Sequence, residues 1–433
     1  MAKKVEQAEC RKTKWNTWAV WVLRIVVGGI FIFSGFVKAV DPRGSIYKFG
    51  EYLISFGLQG FDSLLLFMAV SVAVIEFTLG VFLFFGIYRK VTPILILLLM
   101  LVMLPLTLYI AVTDNIADCG CFGDAVIISN WASFWKNVAI TAASCYLVKY
   151  NCRVKNIYGF AVQWMVAMAS VAYAIAIAMT GYFYQPVLDF RPFPVGTKIA
   201  NDGNASAGEM DDNYIFIYEK NGNVREFSLD SLPDESWTFV ERKKLIQELQ
   251  SDDDQDHMRP VAVIGDSYEN ADSIILSNGE QMLFLFPDLN DVVISFTYLI
   301  NELYDFSQVH GIDVIGLTSG NLEAIQEWND LSMASYKMYR MDDSELKMLA
   351  RGNPAAVYLR DGVIVWKRTL QSISIDKVST ADNIDDLTSD FDPKRWLYFF
   401  TTLYGAFMLL VLIINRTHII VKFSWRRVKN KSK

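Results

Sequence analysis

Two cysteines separated by one glycine are the residues of this 433-residue chain whose types and spacing could do chemistry. Cys119, Gly120 and Cys121 lie in a polar loop between two apolar segments. Cysteines this close can close a small, strained disulfide ring, and the glycine gives the backbone the freedom that such a ring needs. Strained, exposed disulfides have high reduction potentials and are typical of labile or catalytic sites. The spacing therefore predicts thiol–disulfide redox chemistry.

Two other interpretations of the cysteines stay open. The disulfide could be a static structural link, and a Cys-x-Cys pair can bind a soft metal such as copper(I). The loop holds no histidine or methionine cluster to complete a metal shell, so no metal site is predicted. The next apolar segment begins shortly after the cysteines, and the positive end of its helix dipole could stabilise a thiolate.

The composition places this loop in a membrane protein. Hydrophobic residues make up 53% of the chain and charged residues 20%, which excludes intrinsic disorder and fits one ordinary soluble domain poorly. Residues 182–395 carry 18 basic and 38 acidic side chains, whereas the rest of the chain has a net charge of +13. We therefore expect a basic, apolar part surrounded by membrane lipid and an acidic, soluble part. The overall charge of −7 argues against nucleic-acid binding.

Six stretches are long and apolar enough to span a bilayer, which takes about 20 residues. They are 16–38, 64–86, 92–112, 132–150, 157–181 and 396–415. Lysine and arginine collect in both tails and in the loops after the second and fourth spans, all on one side of the membrane, which the positive-inside rule makes the cytoplasm. The cysteine loop and the acidic region then face the oxidising periplasm of a bacterium. The sequence thus predicts a multi-pass inner-membrane protein with both termini in the cytoplasm.

These features divide the chain into four parts. Residues 1–150 are predicted to form a four-helix membrane domain and residues 151–185 a fifth transmembrane helix. Residues 186–393 are predicted to lie in the periplasm. Residues 394–433 supply a sixth helix and a basic cytoplasmic tail.

Three ionisable side chains lie within or near the first two spans, where such groups are rare and usually face the bundle interior or a wet cavity. Glu76 sits mid-span and needs a partner, a proton or a cavity. Arg24 lies on the antiparallel first span, so an Arg24–Glu76 ion pair is predicted, with a proton or quinone-headgroup role as the alternative. Lys38 is placed near the outer boundary, where its side chain can extend to water.

The residues around the cysteines resemble the DoxX and MauE group of bacterial membrane proteins over about 15–150. The end of the first span, FSGFVKAVDP at 33–42, looks like the DoxX opening. The segment DCGCFG, which runs from Asp118 to Gly123, looks like the MauE loop together with FWKN at 134–137. The resemblance implies a four-helix core like that of membrane vitamin-K-epoxide-reductase-type enzymes. It also implies a role in disulfide formation in, or maturation of, exported proteins.

The chain departs from the quinone-linked enzymes of that kind, which carry a Cys-x-x-Cys and a second loop cysteine pair. Its outer face has Cys119 and Cys121 alone. A complete electron relay within this chain is therefore not expected.

The acidic region begins with a hairpin pattern and continues with alternating strands and helices. Two β-rich runs, 213–219 and 223–227, flank an Asn-Gly turn signal and predict a hairpin. Over about 261–380 the order strand, helix, strand, helix and hairpin resembles a thioredoxin-like domain. Asn353 and Pro354, just before a strand, resemble the cis-proline loop of that fold, so a cis bond is predicted at Pro354.

The redox motif of thioredoxin is missing from this region. Pro287 follows the first strand where Cys-x-x-Cys would stand, and no cysteine occurs beyond Cys152. The domain is therefore expected to bind a partner or to act as a scaffold. The predicted fold class is a membrane α-helical bundle of about six transmembrane helices plus an extracytoplasmic α/β thioredoxin-like domain.

Two hypotheses of function follow. In the first, Cys119 and Cys121 are the catalytic pair of a membrane thiol–disulfide oxidoreductase; a periplasmic client docks on the α/β domain, and a quinone or another protein resets the cysteines. In the second, the chain is a non-enzymatic assembly or scaffold subunit of a cell-envelope complex with a static disulfide. The sequence leaves enzymatic activity open and shows no cofactor-binding motif. A small-molecule transporter is a third option, supported by Glu76, Arg24 and the prolines of the helices.

Overall fold

The computed structural model describes residues 14–58, 62–114, 116, 118–151, 156–199 and 274–431, together with five strands between 214 and 270. Six helices of this described part precede the acidic region. They are α1 (Lys14–Val40), α2 (Pro42–Ser55), α3 (Asp62–Phe85), α4 (Thr92–Thr113), α5 (Asn130–Lys149) and α6 (Gln163–Phe183). A long helix, Pro393–Lys431, follows the acidic region and is numbered α11.

Five helical segments of the described chain are long and apolar enough to cross a membrane. They are Thr17–Val40, Leu64–Phe85, Thr92–Thr113, Phe160–Phe183 and Ile384–Thr417. The sixth predicted span, 132–150, forms helix α5 but does not reach that hydropathy. Its inward face is polar, with Ser133, Asn137 and Ser144 buried. The structure therefore supports five candidate spans, the span at 132–150 stays a prediction, and α5 packs on α4 with polar side chains on its buried face.

The closest helix contact of the membrane part is that of α1 with α3. A Cβ at Gly35 would fall 2.7 Å from the Phe77 Cα and 2.8 Å from the Ala73 carbonyl oxygen. A Cβ at Gly80 would fall 2.9 Å from the Gly28 carbonyl oxygen. Small residues at such contacts let two backbones approach and so increase their van der Waals contact. The glycines therefore fix the register of α1 against α3.

A short helix, α2, lies in the segment 39–63, where no element was predicted. Asp41 caps it, because its side chain accepts a hydrogen bond of 2.9 Å from the Gly44 N–H, and Pro42 occupies the first turn. An aspartate followed by proline is a helix-start signal that the hydropathy pattern does not show. The helix places Lys48 and Tyr52 beside the cysteine loop, the connection between α4 and α5.

The acidic region forms three sheets. Their strands are β1 (Tyr214–Lys220), β2 (Asn223–Ser228), β3 (Thr238–Lys244), β4 (Val261–Ile264), β5 (Ser267–Asn270), β6 (Glu280–Phe286), β7 (Asp313–Thr318), β8 (Lys337–Arg340), β9 (Ala355–Arg360) and β10 (Val363–Thr369). The interleaved helices are α7 (Phe296–Val309), α8 (Leu322–Ser332), α9 (Asp343–Leu349) and α10 (Ile375–Thr380). The predicted hairpin is confirmed, because β1 pairs with β2 in antiparallel fashion.

The C-terminal domain is built on a five-stranded sheet of order β10-β9-β6-β7-β8. Strands β6, β7 and β8 are parallel, and β9 lies antiparallel to β6 on the other side. Met282, Phe284 and Phe286 of β6 enter one hydrophobic core, while Leu283 and Leu285 enter the other. This alternation places β6 at the centre of a sheet covered on both faces.

The predicted order of strand, helix, strand, helix and hairpin is confirmed, and the Asn353–Pro354 peptide bond is cis as predicted. Strand β8 and helix α9, which lie between α8 and the hairpin, were not predicted. The α/β architecture is thus established, whereas its thioredoxin-like character stays a prediction.

The glycine contact between α1 and α3 can be tested by adding a side chain. Gly35→Leu should destabilise the bundle by at least about 1–3 kcal/mol, because a close-packed backbone contact has no room for the new atoms. Gly29→Leu on the same helix is the matched control, since a Cβ there meets nothing within 4 Å. Thermal unfolding of the full chain in detergent measures the difference. Equal unfolding temperatures for the two variants would contradict the contact.

Candidate functional site

The two cysteines form a tight turn at one end of the helix bundle. Cys119 is buried, Cys121 is half-buried, both are free thiols, and their Sγ atoms lie 2.6 Å apart. Gly120 has a φ of +59°, a conformation that glycine adopts without strain. Its N–H donates a 2.7 Å hydrogen bond to Asp118 Oδ1. The sequence between the cysteines therefore shapes a turn in which the two sulfurs face each other.

Three side chains from two helices hold this turn in place. Tyr52 of α2 donates its hydroxyl to the Cys119 carbonyl oxygen. Lys48, also of α2, pairs with Asp118 at 3.2 Å. Asn130, at the start of α5, donates to the Ile116 carbonyl oxygen at 2.9 Å. These contacts hold the loop through the backbone of residues 116 and 119 and the side chain of Asp118, and none of them involves a cysteine sulfur.

A cluster of three buried side chains lies directly beneath the turn, and we call Ser34, Lys38 and Glu76 the charge cluster. Lys38 Nζ is 2.6 Å from Glu76 Oε2 and 3.0 Å from Ser34 Oγ. Ser34 Oγ lies 2.7 Å from both Glu76 Oε2 and the Cys121 carbonyl oxygen. Lys38 is buried in this ion pair, so the expectation that it extends to water is wrong.

The predicted ion pair between Arg24 and Glu76 is also wrong. Arg24 is buried, and its Nη2 donates to the Phe84 carbonyl oxygen at 2.8 Å. The reason is the helix register: Gly35 lies against Phe77, which puts Arg24 roughly 18 Å from the level of Glu76 along the axis. The depth of each residue in its predicted span did not show how the two helices are aligned.

The surroundings divide the two thiols into a nucleophile and a proton donor. The pKa of Cys121 is lowered to about 6, because the Cys119 thiol donates a hydrogen bond to its sulfur and because Lys136 and Lys38 lie nearby. The pKa of Cys119 is raised, since it is that donor and is buried. At neutral pH Cys121 is therefore the thiolate, which is the reactive form of cysteine.

A cavity of about 70 Å³ joins the cysteines to the charge cluster, and such a volume holds several water molecules. Met100 and Met103 of α4 also line it, a feature that the loop sequence did not reveal. Within the described part of the chain, no group of three or more His, Cys, Asp or Glu could hold a metal ion. Most of the lining is apolar, and the two thiols share it with the three polar side chains of the charge cluster.

Comparison with known families supports the membrane part of this assignment. Residues 16–150 match the family model described as Methylamine utilisation protein MauE. We call residues 16–150 the MauE-like domain because of this similarity. Residues 213–248 match a second model, described as Domain of unknown function (DUF8463). No curated protein and no solved structure matches the chain. The predicted resemblance to MauE is thus confirmed, while the DoxX and thioredoxin-like resemblances stay predictions.

One arginine of the C-terminal domain links it to the MauE-like domain. Arg351 is buried and reaches Asp41 at 2.8 Å and Asp124 at 2.5 Å with its Nη2. Burial disfavours its charge, but the two carboxylates outweigh that cost and raise the pKa of Arg351. Asp124 lies three residues after Cys121, so Arg351 ties the cysteine loop to the C-terminal domain. Sequence reasoning missed this residue.

The predicted proline loop follows Arg351 directly. Pro354 is three residues further on, and Asn353 Nδ2 donates to the Asp288 carbonyl oxygen at 2.6 Å. The proline loop therefore packs against the segment after β6, where a thioredoxin would carry its cysteines. The same short stretch of chain contacts both that segment and the MauE-like domain.

Removing Arg351 should release the cysteine loop. Arg351→Met leaves Asp41 and Asp124 without their shared cation, and breaking a buried ion pair costs about 3–5 kcal/mol. Hydrogen exchange of the amides of residues 118–124, followed by mass spectrometry, should accelerate. Arg360→Met is the control, because Arg360 is 44% exposed in its ion pairs and such pairs contribute about 0–1 kcal/mol. Unchanged exchange in Arg351→Met would contradict the link.

Proposed function

We propose that this chain is a multi-pass protein of a bacterial inner membrane that exchanges thiols and disulfides with exported proteins through Cys119 and Cys121. The observation that carries the proposal is a pair of free thiols that face each other in one turn, with their Sγ atoms 2.6 Å apart. The hydrogen bond that they share and the nearby Lys136 and Lys38 lower the pKa of Cys121. Depressed thiol pKa values are typical of disulfide-exchange sites, whereas structural buried cysteines are inert.

The proposed exchange takes two steps. The Cys121 thiolate attacks one sulfur of a partner disulfide, which expels a partner thiolate and forms a mixed disulfide. Cys119 then loses its proton and attacks Cys121 Sγ, which expels the second partner thiolate. The cysteines end as a disulfide, and the partner holds two thiols after taking up two protons. The reverse sequence makes a disulfide in the partner.

The reset of the cysteines needs a second redox partner. If the chain oxidises its clients, an acceptor must take two electrons from the dithiol. We propose a membrane quinone or the disulfide of another protein for this role. Helices α1 and α3 lie in candidate membrane spans, and Ser34 of α1 contacts the Cys121 carbonyl oxygen, so a lipid-soluble oxidant and a periplasmic protein could both reach the cysteines.

We propose that the C-terminal domain is a cysteine-free thioredoxin-like domain that holds the client. The central β6, the flanking parallel β7 and the antiparallel hairpin with its cis-proline support this interpretation. Five to ten residues after Asp288, which the proline loop contacts, the large side chains of Val293, Ile294 and Tyr298 are more than half exposed. Exposed apolar side chains grouped on a surface mark binding sites for other proteins. Arg351 would keep such a client close to the cysteines.

The distribution of basic residues indicates on which side of the membrane the client lies. The basic loops and tails favour a cytoplasmic location for both termini, which leaves the cysteines and the acidic domain in the periplasm. That compartment keeps disulfides oxidised. The family description concerns methylamine utilisation, and we infer from it a role in the maturation of an exported protein.

A second candidate function is a scaffold subunit of an envelope complex. It is favoured by the Arg351 link, which joins the two domains into one surface, and by the missing cysteines of the C-terminal domain. In that case the cysteines would form a permanent disulfide. Partner binding would then survive the loss of both.

Trapping of a mixed disulfide separates the two functions. Cys119→Ser retains the nucleophile and lacks the thiol that resolves the intermediate, so it should accumulate disulfide-linked partners in cells. Non-reducing electrophoresis of acid-quenched cells should show higher-mass species that disappear with reductant. Cys121→Ser is the matched control and should trap far less. Equal trapping by both variants, or none by Cys119→Ser, would contradict thiol exchange and favour the scaffold.

A further inference from the structure

The charge cluster buries charged groups, which costs free energy, and the helix bundle does not need it for packing. Lys38 and Glu76 are both buried inside candidate membrane spans. Charged groups at such depth are rare and usually functional, and a buried ion pair seldom adds net stability. The cluster also lines the cavity that holds both cysteines. Its position next to the reactive thiol therefore indicates a functional role.

The hydroxyl of Ser34 connects the cluster to Cys121. Lys38 Nζ donates to Ser34 Oγ, which then has a single proton to give. Two acceptors compete for that proton at equal distances of 2.7 Å, namely Glu76 Oε2 and the Cys121 carbonyl oxygen. The Ser34 hydroxyl therefore links the Glu76 carboxylate to the backbone of Cys121.

We propose that Lys38 and Glu76 are positioning residues of opposite effect on Cys121, with Lys38 favouring its thiolate, Glu76 favouring its thiol, and Ser34 fixing its backbone. The proposal rests on the proposed function, because it names the groups that tune the nucleophile of that site. An ion pair that acts only through the stability of the bundle would leave the reactivity of Cys121 unchanged, or change it in the same direction, when either member is replaced.

Other charged and titratable groups also face Cys121. Lys136 of α5 favours the thiolate, and the thiol of Cys119 donates to it. Tyr52 and Lys48 of α2 line the same cavity, and Lys48 is engaged by Asp118 and Glu51 on the outer side of the turn. Among the groups on α1 and α3, Lys38 lowers the pKa of Cys121 and Glu76 raises it. The two members of the cluster therefore act on the thiol in opposite directions.

The signs of two substitutions test the proposal. Lys38→Met removes a positive charge, so the pH at which Cys121 becomes a thiolate should rise, by on the order of one unit. Glu76→Gln keeps the shape and removes a negative charge, so that pH should fall. Lys38→Arg keeps the charge and should restore the behaviour of the natural chain. Lys48→Met removes a lysine from the outer side and should move the pH less than Lys38→Met does.

The measurement uses the reduced, full-length protein in detergent. Iodoacetamide alkylates thiolates, and mass spectrometry of the peptide that contains Cys121 gives the alkylation rate at each pH. The rate in the natural chain should rise through a pH of about 6. Opposite shifts for Lys38→Met and Glu76→Gln, with rescue by Lys38→Arg, would support the proposal.

Shifts in the same direction for both substitutions, or no shift in either, would overturn it, because loss of a purely structural ion pair affects both members alike. The result is independent of any client, since the probe is a small alkylating reagent. Trapping in cells can therefore fail while the opposite shifts appear, and this would reject thiol exchange with a partner and keep the tuning of Cys121.

Discussion

The close packing of α1 on α3 is the constraint on which the site depends. Gly35 and Gly80 let the two backbones approach, and this register brings Lys38 level with Glu76. A helix pair held further apart, or shifted by a turn, would leave each charge alone in an apolar environment. The ion pair and Ser34 then provide a polar floor for the cysteine turn. Packing between two apolar helices thus positions a charged group beneath a thiol.

A second level of organisation joins the membrane part to the soluble part. Arg351 holds two carboxylates of the MauE-like domain, one on the cap of α2 and one just after Cys121. The residues that follow it form the cis-proline loop. A single short stretch of the C-terminal domain therefore contacts both the cysteine loop and the segment that follows β6. In the proposed function, this arrangement gives a domain without cysteines a role in thiol chemistry.

Local patterns in the sequence predicted the parts of the fold that depend on neighbouring residues. The cysteine turn, the hairpin of β1 and β2 and the cis bond before Pro354 all follow from short motifs. Contacts that depend on the register of distant segments could not be predicted in this way. Lys38 meets Glu76 because of a glycine contact between helices, and Arg351 meets Asp41 across 310 residues of chain.

The number of membrane spans shows a second limit of prediction from the sequence, which arises because average hydropathy ignores how polar residues are arranged around a helix. Helix α5 turns Ser133, Asn137 and Ser144 towards the bundle interior, so its composition understates its role in the membrane part. Average hydropathy reports what a helix contains and not which face the polar residues occupy. The same polar stripe brings α5 and its Lys136 to the cysteine cavity.

The redox state of Cys119 and Cys121 in living cells tests the central claim most directly. Cells are quenched in acid and free thiols are labelled with a mass tag, with the double variant Cys119→Ser, Cys121→Ser as the reference. If the cysteines exchange with partners, the chain will be a mixture of dithiol and disulfide that shifts when quinone supply or envelope oxidants change. A chain that stays fully oxidised under every condition would contradict the account and identify the disulfide as a static link.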